Sequence, residues 1–168
     1  MDIHEHLLTL ASELGAIFKL RNYKLALAES CTGGMATQYV TAIAGSSTWF
    51  DRSFITYSNI AKIDLLKVSA STLGRFGAAS EQTAREMAIG ALANSDAIIA
   101  ASITGIAGPD GGSTEKPVGT VCFAICSKCK GDLSITTSET QNFYGNREEI
   151  RMQSVKYIFQ QLLITAST

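Results

Sequence analysis

Two candidate nucleophiles stand side by side in Glu29-Ser30-Cys31-Thr32-Gly33-Gly34. Either Ser30 or Cys31 could attack a carbonyl carbon, provided a neighbouring group takes its proton. The apolar run Leu25-Ala26-Leu27-Ala28 precedes this stretch, and a helix-like segment from Met35 to Ala44 follows it. A strand that turns sharply into a helix exposes the side chains of the turn. It also leaves the first N–H groups of the helix without internal partners. With the positive end of the helix dipole, those donors predict a site for an anion or a developing oxyanion. Gly33 and Gly34 let a ligand come close to the backbone. The plainer reading is that Ser30 or Thr32 caps the helix. A helix N-terminus can also lower a thiol pKa, so Cys31 stays open as the nucleophile. The histidines are His4 and His6, both in the first helical region. Neither is placed for a Ser-His-Asp triad, so the nucleophile needs another base.

The elements that must hold this turn can be read from periodicity. Ile3, Leu7, Leu10, Leu14 and Ile17 predict an opening amphipathic helix, ended by Arg21-Asn22-Tyr23. Leu25 to Ala28 reads as a buried strand, residues 34–44 as a helix with Gly45 as its stop, and Trp49 to Tyr57 as a strand. A short helix is expected over residues 59–66, with a turn or brief helical piece over residues 69–77. Ser80 reads as the N-cap of a helix reaching Ala93. Ala97 to Ile103 is a near-continuous apolar strand of the kind covered on both faces. It leads into Thr104-Gly105-Ile106-Ala107-Gly108-Pro109-Asp110-Gly111-Gly112, the most glycine-rich loop of the chain. Residues 118–126 and 133–143, joined through Lys130-Gly131, predict an antiparallel hairpin, and residues 147–163 a last helix. The expected architecture is a single three-layer α/β/α domain over residues 1–168, with a mixed, mostly parallel sheet and a late hairpin. Ser30 and Thr104 then fall at the carboxyl ends of strands, where ligands gather in open α/β sheets.

Composition narrows the function classes. With 168 residues, 46% apolar and 17% charged, the chain reads as a globular domain with a substantial core. A formal net charge of −1 argues against a nucleic-acid partner. No apolar run approaches the ~20 residues that span a bilayer, and the polar start Met1-Asp2-Ile3-His4-Glu5-His6 does not suit a secretory signal. A cytoplasmic location is therefore expected, with Cys31, Cys122, Cys126 and Cys129 as free thiols. Cys126 and Cys129 have metal-ligand spacing with Cys122 nearby, but a fourth ligand is missing. The alternative puts Cys122 and Cys126 on one face of a strand and Cys129 in the turn after it. No metal is expected.

Five ordered motifs carry a resemblance: Glu29 to Gly34, Tyr57-Ser58-Asn59-Ile60-Ala61-Lys62, Thr104 to Gly112, Lys116-Pro117-Val118-Gly119-Thr120 and Phe143-Tyr144-Gly145-Asn146-Arg147. Together they resemble the C-terminal domain of the competence/damage-inducible CinA family across essentially the whole chain. Stand-alone members of that family resemble nicotinamide-nucleotide amidohydrolases of pyridine-nucleotide salvage. The resemblance implies hydrolysis of nicotinamide mononucleotide to nicotinate mononucleotide and ammonia, no cofactor, a small-molecule nucleotide as partner, and a homo-oligomer. It points to Ser30 as nucleophile, and to Lys62 as a base if burial keeps its amine neutral. Tyr57 would relay or orient the proton. Thr104 with Gly105, Gly108, Gly111 and Gly112 would donate to substrate, and Arg147 would hold the phosphate. Thr32, Gly33 and Gly34 would bind either phosphate or the oxyanion. Glu29 would be an orienting acid or a partner of Lys62.

Each role has a plainer counterpart: a solvated Lys62, a structural glycine turn, an exposed Arg147 at a helix start. Arg147 beside a positive helix end is unfavourable without an anion, which favours the phosphate role. Ile60 and Lys67 depart from the family pattern, which often has a polar or acidic residue and a glycine there. Fold alone does not fix activity. A silent nucleotide-binding protein and a competence- or damage-related interaction module are the competing readings.

Overall fold

The computed structural model describes residues 2–168. Five strands form one sheet: β1 (Leu25–Glu29), β2 (Phe50–Ile55), β3 (Ile99–Gly105), β4 (Thr120–Cys129) and β5 (Asp132–Asn142). Their order is β2-β1-β3-β4-β5. β1 runs parallel to both β2 and β3, whereas β3–β4 and β4–β5 are antiparallel. Three strands are thus mutually parallel, and the late hairpin extends the sheet on one side.

Among the described residues, six α-helices cover it: α1 (Ile3–Arg21), α2 (Met35–Thr41), α3 (Asn59–Leu66), α4 (Ala70–Phe76), α5 (Glu81–Ala93) and α6 (Arg147–Ser167). Alternation along the strands decides which face each helix meets. Leu25 and Leu27, Ile103, Phe123 and Ile125 face α1, α2 and α6, where Leu14, Phe18, Ile158 and Phe159 complete one core. The opposite face is built from smaller groups, Ala26, Ala28, Ala100, Ala124 and Cys126, which meet α3, α4 and α5. Small side chains there let α5 lie close: Ser102 Oγ donates to the Ala84 carbonyl at 2.6 Å.

Most expected elements form, and the differences have local causes. Ser80 does cap α5, accepting from Thr83 N at 3.2 Å. Asn22 ends α1 in the left-handed conformation. The second helix stops at Thr41 rather than Ala44, and Gly45, at φ 78°, instead opens a 3₁₀ turn over Ser46–Thr48. The stretch after residue 69 is a true helix, because Ser69 caps it through Ser71 N. Cys129 is not in the turn: pairing with Asp132 carries β4 to that residue, leaving Lys130-Gly131 as the turn. Cys122 and Cys126 are buried and Cys129 is exposed. No helix among the described residues is long and apolar enough to cross a membrane.

Candidate active site

The site begins with the residue before Ser30. β1 lies between β2 and β3, and Ser30 N continues its pairing by donating to Ile103 O at 2.9 Å. Glu29, fully buried, turns its carboxylate onto the start of α2. It accepts from Gly34 N and Ala36 N at 3.1 Å each, from Thr37 N at 2.9 Å, and from Thr37 Oγ1 at 2.7 Å. A carboxylate at the positive end of a helix is favourable, and four donors offset its desolvation. This corrects the expectation that α2 offers free N–H groups to an anion, since Glu29 takes them. Neither Ser30 nor Thr32 caps α2, whose N-cap position is Gly34. Glu29 is an orienting acid for the turn rather than a partner of Lys62.

Lys62 enters from α3. Ser58 caps that helix through Ala61 N at 3.1 Å, and one turn later Lys62 points inward with only 1% of its surface exposed. Its Nζ lies 2.9 Å from Ser30 Oγ and donates to the carbonyls of Thr56 at 3.0 Å and Tyr57 at 3.1 Å. Desolvation holds its pKa below the ordinary 10.5, and the nearby Cys31 opposes this only in part. Ser30 Oγ in turn donates to the Tyr57 carbonyl at 3.4 Å, so amine, hydroxyl and carbonyl share one cluster. Ser30 itself is 6% exposed. Burial pushes the adjacent Cys31 thiol up to about 12, so it stays protonated at neutral pH.

Ser30, Cys31 and Lys62 open into a cavity of about 280 Å³ that also touches Tyr57, Ala78, Asp110, Arg147 and the loop residues Gly105, Gly108 and Gly111. Arg147 spans its mouth, donating to Gly108 O at 2.7 Å and to Tyr57 Oη at 3.1 Å. The structure thus brings Ser30, Lys62, Tyr57, Arg147 and three of the loop glycines together. The phenol of Tyr57, 62% exposed, faces Arg147; it is the backbone carbonyl of this residue that touches Lys62. Thr104 does not line the cavity: its buried hydroxyl donates to Ala78 O at 2.9 Å and so fixes one cavity wall. Thr32, Gly33, Gly34 and Gly112 also lie outside it. The Thr32 carbonyl accepts from Arg151 at 2.8 Å, and Gly112 packs against Val118.

Sequence reasoning passed over Asp110 and Ala78. Asp110 sits in a Pro-Asp-Gly-Gly run that reads as ordinary turn chemistry, and Ala78 carries no chemical signal at all. A larger cavity, about 550 Å³, is bordered by Arg75, Glu81, Lys116, Cys122 and Asn142. Its thiol, Cys122, is buried and pushed up in pKa, so it offers no activated nucleophile.

Known proteins resemble this chain over most of its length. The family model of the CinA C-terminal domain matches residues 7–166. The chain is 51% identical over 154 residues to a nicotinamide-nucleotide amidohydrolase PncC of Enterobacter agglomerans, covering 92% of each. It is 49% identical over 156 residues to the PncC protein of Escherichia coli (strain K12), covering 93% of this chain and 92% of that one. The crystal structure of the competence/damage inducible protein CihA from Agrobacterium tumefaciens superposes with a TM-score of 0.88 at 42% identity, covering 96% of both chains.

Proposed function

The chain belongs to the CinA C-terminal domain family, and we propose that it hydrolyses the carboxamide of nicotinamide mononucleotide to nicotinate mononucleotide and ammonia. The observation that carries this reading is a buried Lys62 amine, without an ion-pair partner among the described residues, 2.9 Å from the Ser30 hydroxyl. The substrate comes from the names of relatives about half identical over most of the chain.

In the first step the Lys62 lone pair takes the Ser30 proton as Oγ bonds to the carboxamide carbon, and the carbonyl electrons move onto oxygen. The tetrahedral intermediate collapses by breaking the C–N bond. The Lys62 ammonium returns its proton to the leaving nitrogen, so ammonia departs and an acyl ester remains on Ser30. Water then attacks the ester, its proton passing to Lys62 and onward to Ser30 Oγ, which frees the carboxylate. The Thr56 and Tyr57 carbonyls aim the amine throughout. Arg147 meets the phosphate, and its bond to Tyr57 positions that phenol at the rim. Thr104 acts as a positioning residue through Ala78.

Purified protein incubated with nicotinamide mononucleotide is expected to release ammonia and nicotinate mononucleotide in equal amounts, and Ser30→Ala to release neither. A folded wild-type preparation that binds the nucleotide but yields no ammonia would make this chain the silent nucleotide-binding protein instead.

A further inference from the structure

Besides Lys62, two side chains of opposite charge border the cavity: Asp110 in the glycine loop and Arg147 at the start of α6. A guanidinium and a carboxylate that border one cavity can pair. Here they do not. Arg147 donates to the Gly108 carbonyl and the Tyr57 phenol, and the ion pairs among the described residues are Arg52–Asp51 and Arg85–Glu81. The side chain of Asp110 has no hydrogen-bond partner among the described residues. Gly108 and Gly111, at φ 79° and 91°, bracket Pro109-Asp110 and set the path of the loop. The cavity therefore has a positive and a negative border residue, both solvent-exposed, with no ion pair between them.

A ligand that neutralises both must itself carry both signs. Resting on the amidase reading, the substrate does so: its phosphate is anionic and its N-ribosylated pyridinium ring is cationic. With the carboxamide at Ser30 and the phosphate at Arg147, we propose that Asp110 is a specificity-determining residue that recognises the positive charge of the pyridinium ring. A neutral Lys62 is compatible with a cationic ring beside it, whereas an ammonium there would repel it. The site thus discriminates the oxidised, charged nucleotide from its reduced form, which keeps the same amide, ribose and phosphate on an uncharged dihydropyridine.

The test is calorimetric binding of nicotinamide mononucleotide and its 1,4-dihydro form in a Ser30→Ala background, where turnover cannot confuse affinity. The charged ring should bind roughly two- to fivefold more tightly than the neutral one, as for a partly exposed charge pair. Adding Asp110→Asn should bring the ratio close to one by weakening only the charged ligand. Asp110→Ala serves as a second variant, and circular dichroism checks that each remains folded. Equal losses for both ligands would assign Asp110 to the sugar or to loop structure and overturn the proposal, as would no preference in the parent. Ammonia release by wild type is measured in parallel. If it is absent while the binding preference persists, the amidase reading fails alone. If it is present while the preference is missing, this inference fails alone.

Discussion

The Lys62 amine is held by one hydroxyl and two carbonyls, with no carboxylate among the described residues paired to it if it takes up a proton. Two consequences follow from that absence of a counter-ion. The first is kinetic: the rate should fall toward acid pH as Lys62 becomes protonated. Lys62→Arg, which cannot deprotonate in this range, should lose roughly 10²-fold or more in turnover while staying folded. A folded arginine variant with near-wild-type turnover would remove Lys62 from the role of base. The second is thermodynamic. The folded-state pKa lies below the ordinary 10.5, so between those two values the unfolded chain binds more protons and stability rises with pH. Below the folded-state pKa both states are protonated and the cost of the buried charge is fully present. The urea unfolding free energy of wild type minus that of Lys62→Met should therefore climb with pH across this window; a flat difference would contradict a desolvated amine. The neighbouring pair is separable too. Ser30→Ala should abolish turnover, whereas Cys31→Ala should remain active, because the thiol at about 12 is not a thiolate at neutral pH. The opposite pattern of activities would make Cys31 the nucleophile.

At the scale of elements, the junction of β1 and α2 is fastened from inside by Glu29. Glu29→Gln replaces an acceptor oxygen with an amide NH₂, which would face an N–H group it cannot accept from. The expected loss is about 1–3 kcal/mol of stability, the cost of leaving a buried group unsatisfied. Turnover should fall as well, because Ser30 is the next residue. Urea denaturation and ammonia release on one preparation would check both, and an unchanged midpoint would show that the four contacts do not hold the turn. This fastening was hidden in the sequence for a physical reason. Glu29 ends a strand, and nothing in its spacing says that a helix several residues later folds back over it. The turn, α3, α5 and the hairpin were legible, because their apolar periods and caps are local. The meeting of Ser30 with Lys62 became legible only through the ordered motifs, since 32 residues of chain separate them. Thr104 looked like a site residue because it ends a buried strand, but its side chain faces Ala78. Asp110 was masked by the turn residues around it.

Across the whole molecule, the order β2-β1-β3-β4-β5 could not be read from local patterns, because pairing between parallel strands depends on helices that cross between them. That order places the two halves of the proposed machinery in unequal company. Ser30 follows β1, which has a strand on each side and a buried face toward both helical layers. Lys62 arrives through β2, a half-exposed strand with one neighbour, and through the eight-residue α3. Segments with few buried contacts open locally at a smaller free-energy cost than the core. Fraying at that margin would swing the amine away from the hydroxyl while the sheet, α1, α5 and α6 stayed intact. In rising urea, ammonia release should therefore disappear before the far-ultraviolet signal changes, and amide exchange should be faster over residues 50–66 than over β1 and β3. Coincident loss of activity and ellipticity, with uniform exchange, would mean that the margin is as firm as the centre. With that margin frayed, the protein would be catalytically silent while still almost wholly folded: the reaction would serve as a gauge of one corner of the fold, and inhibition could come from prising that corner loose without entering the cavity.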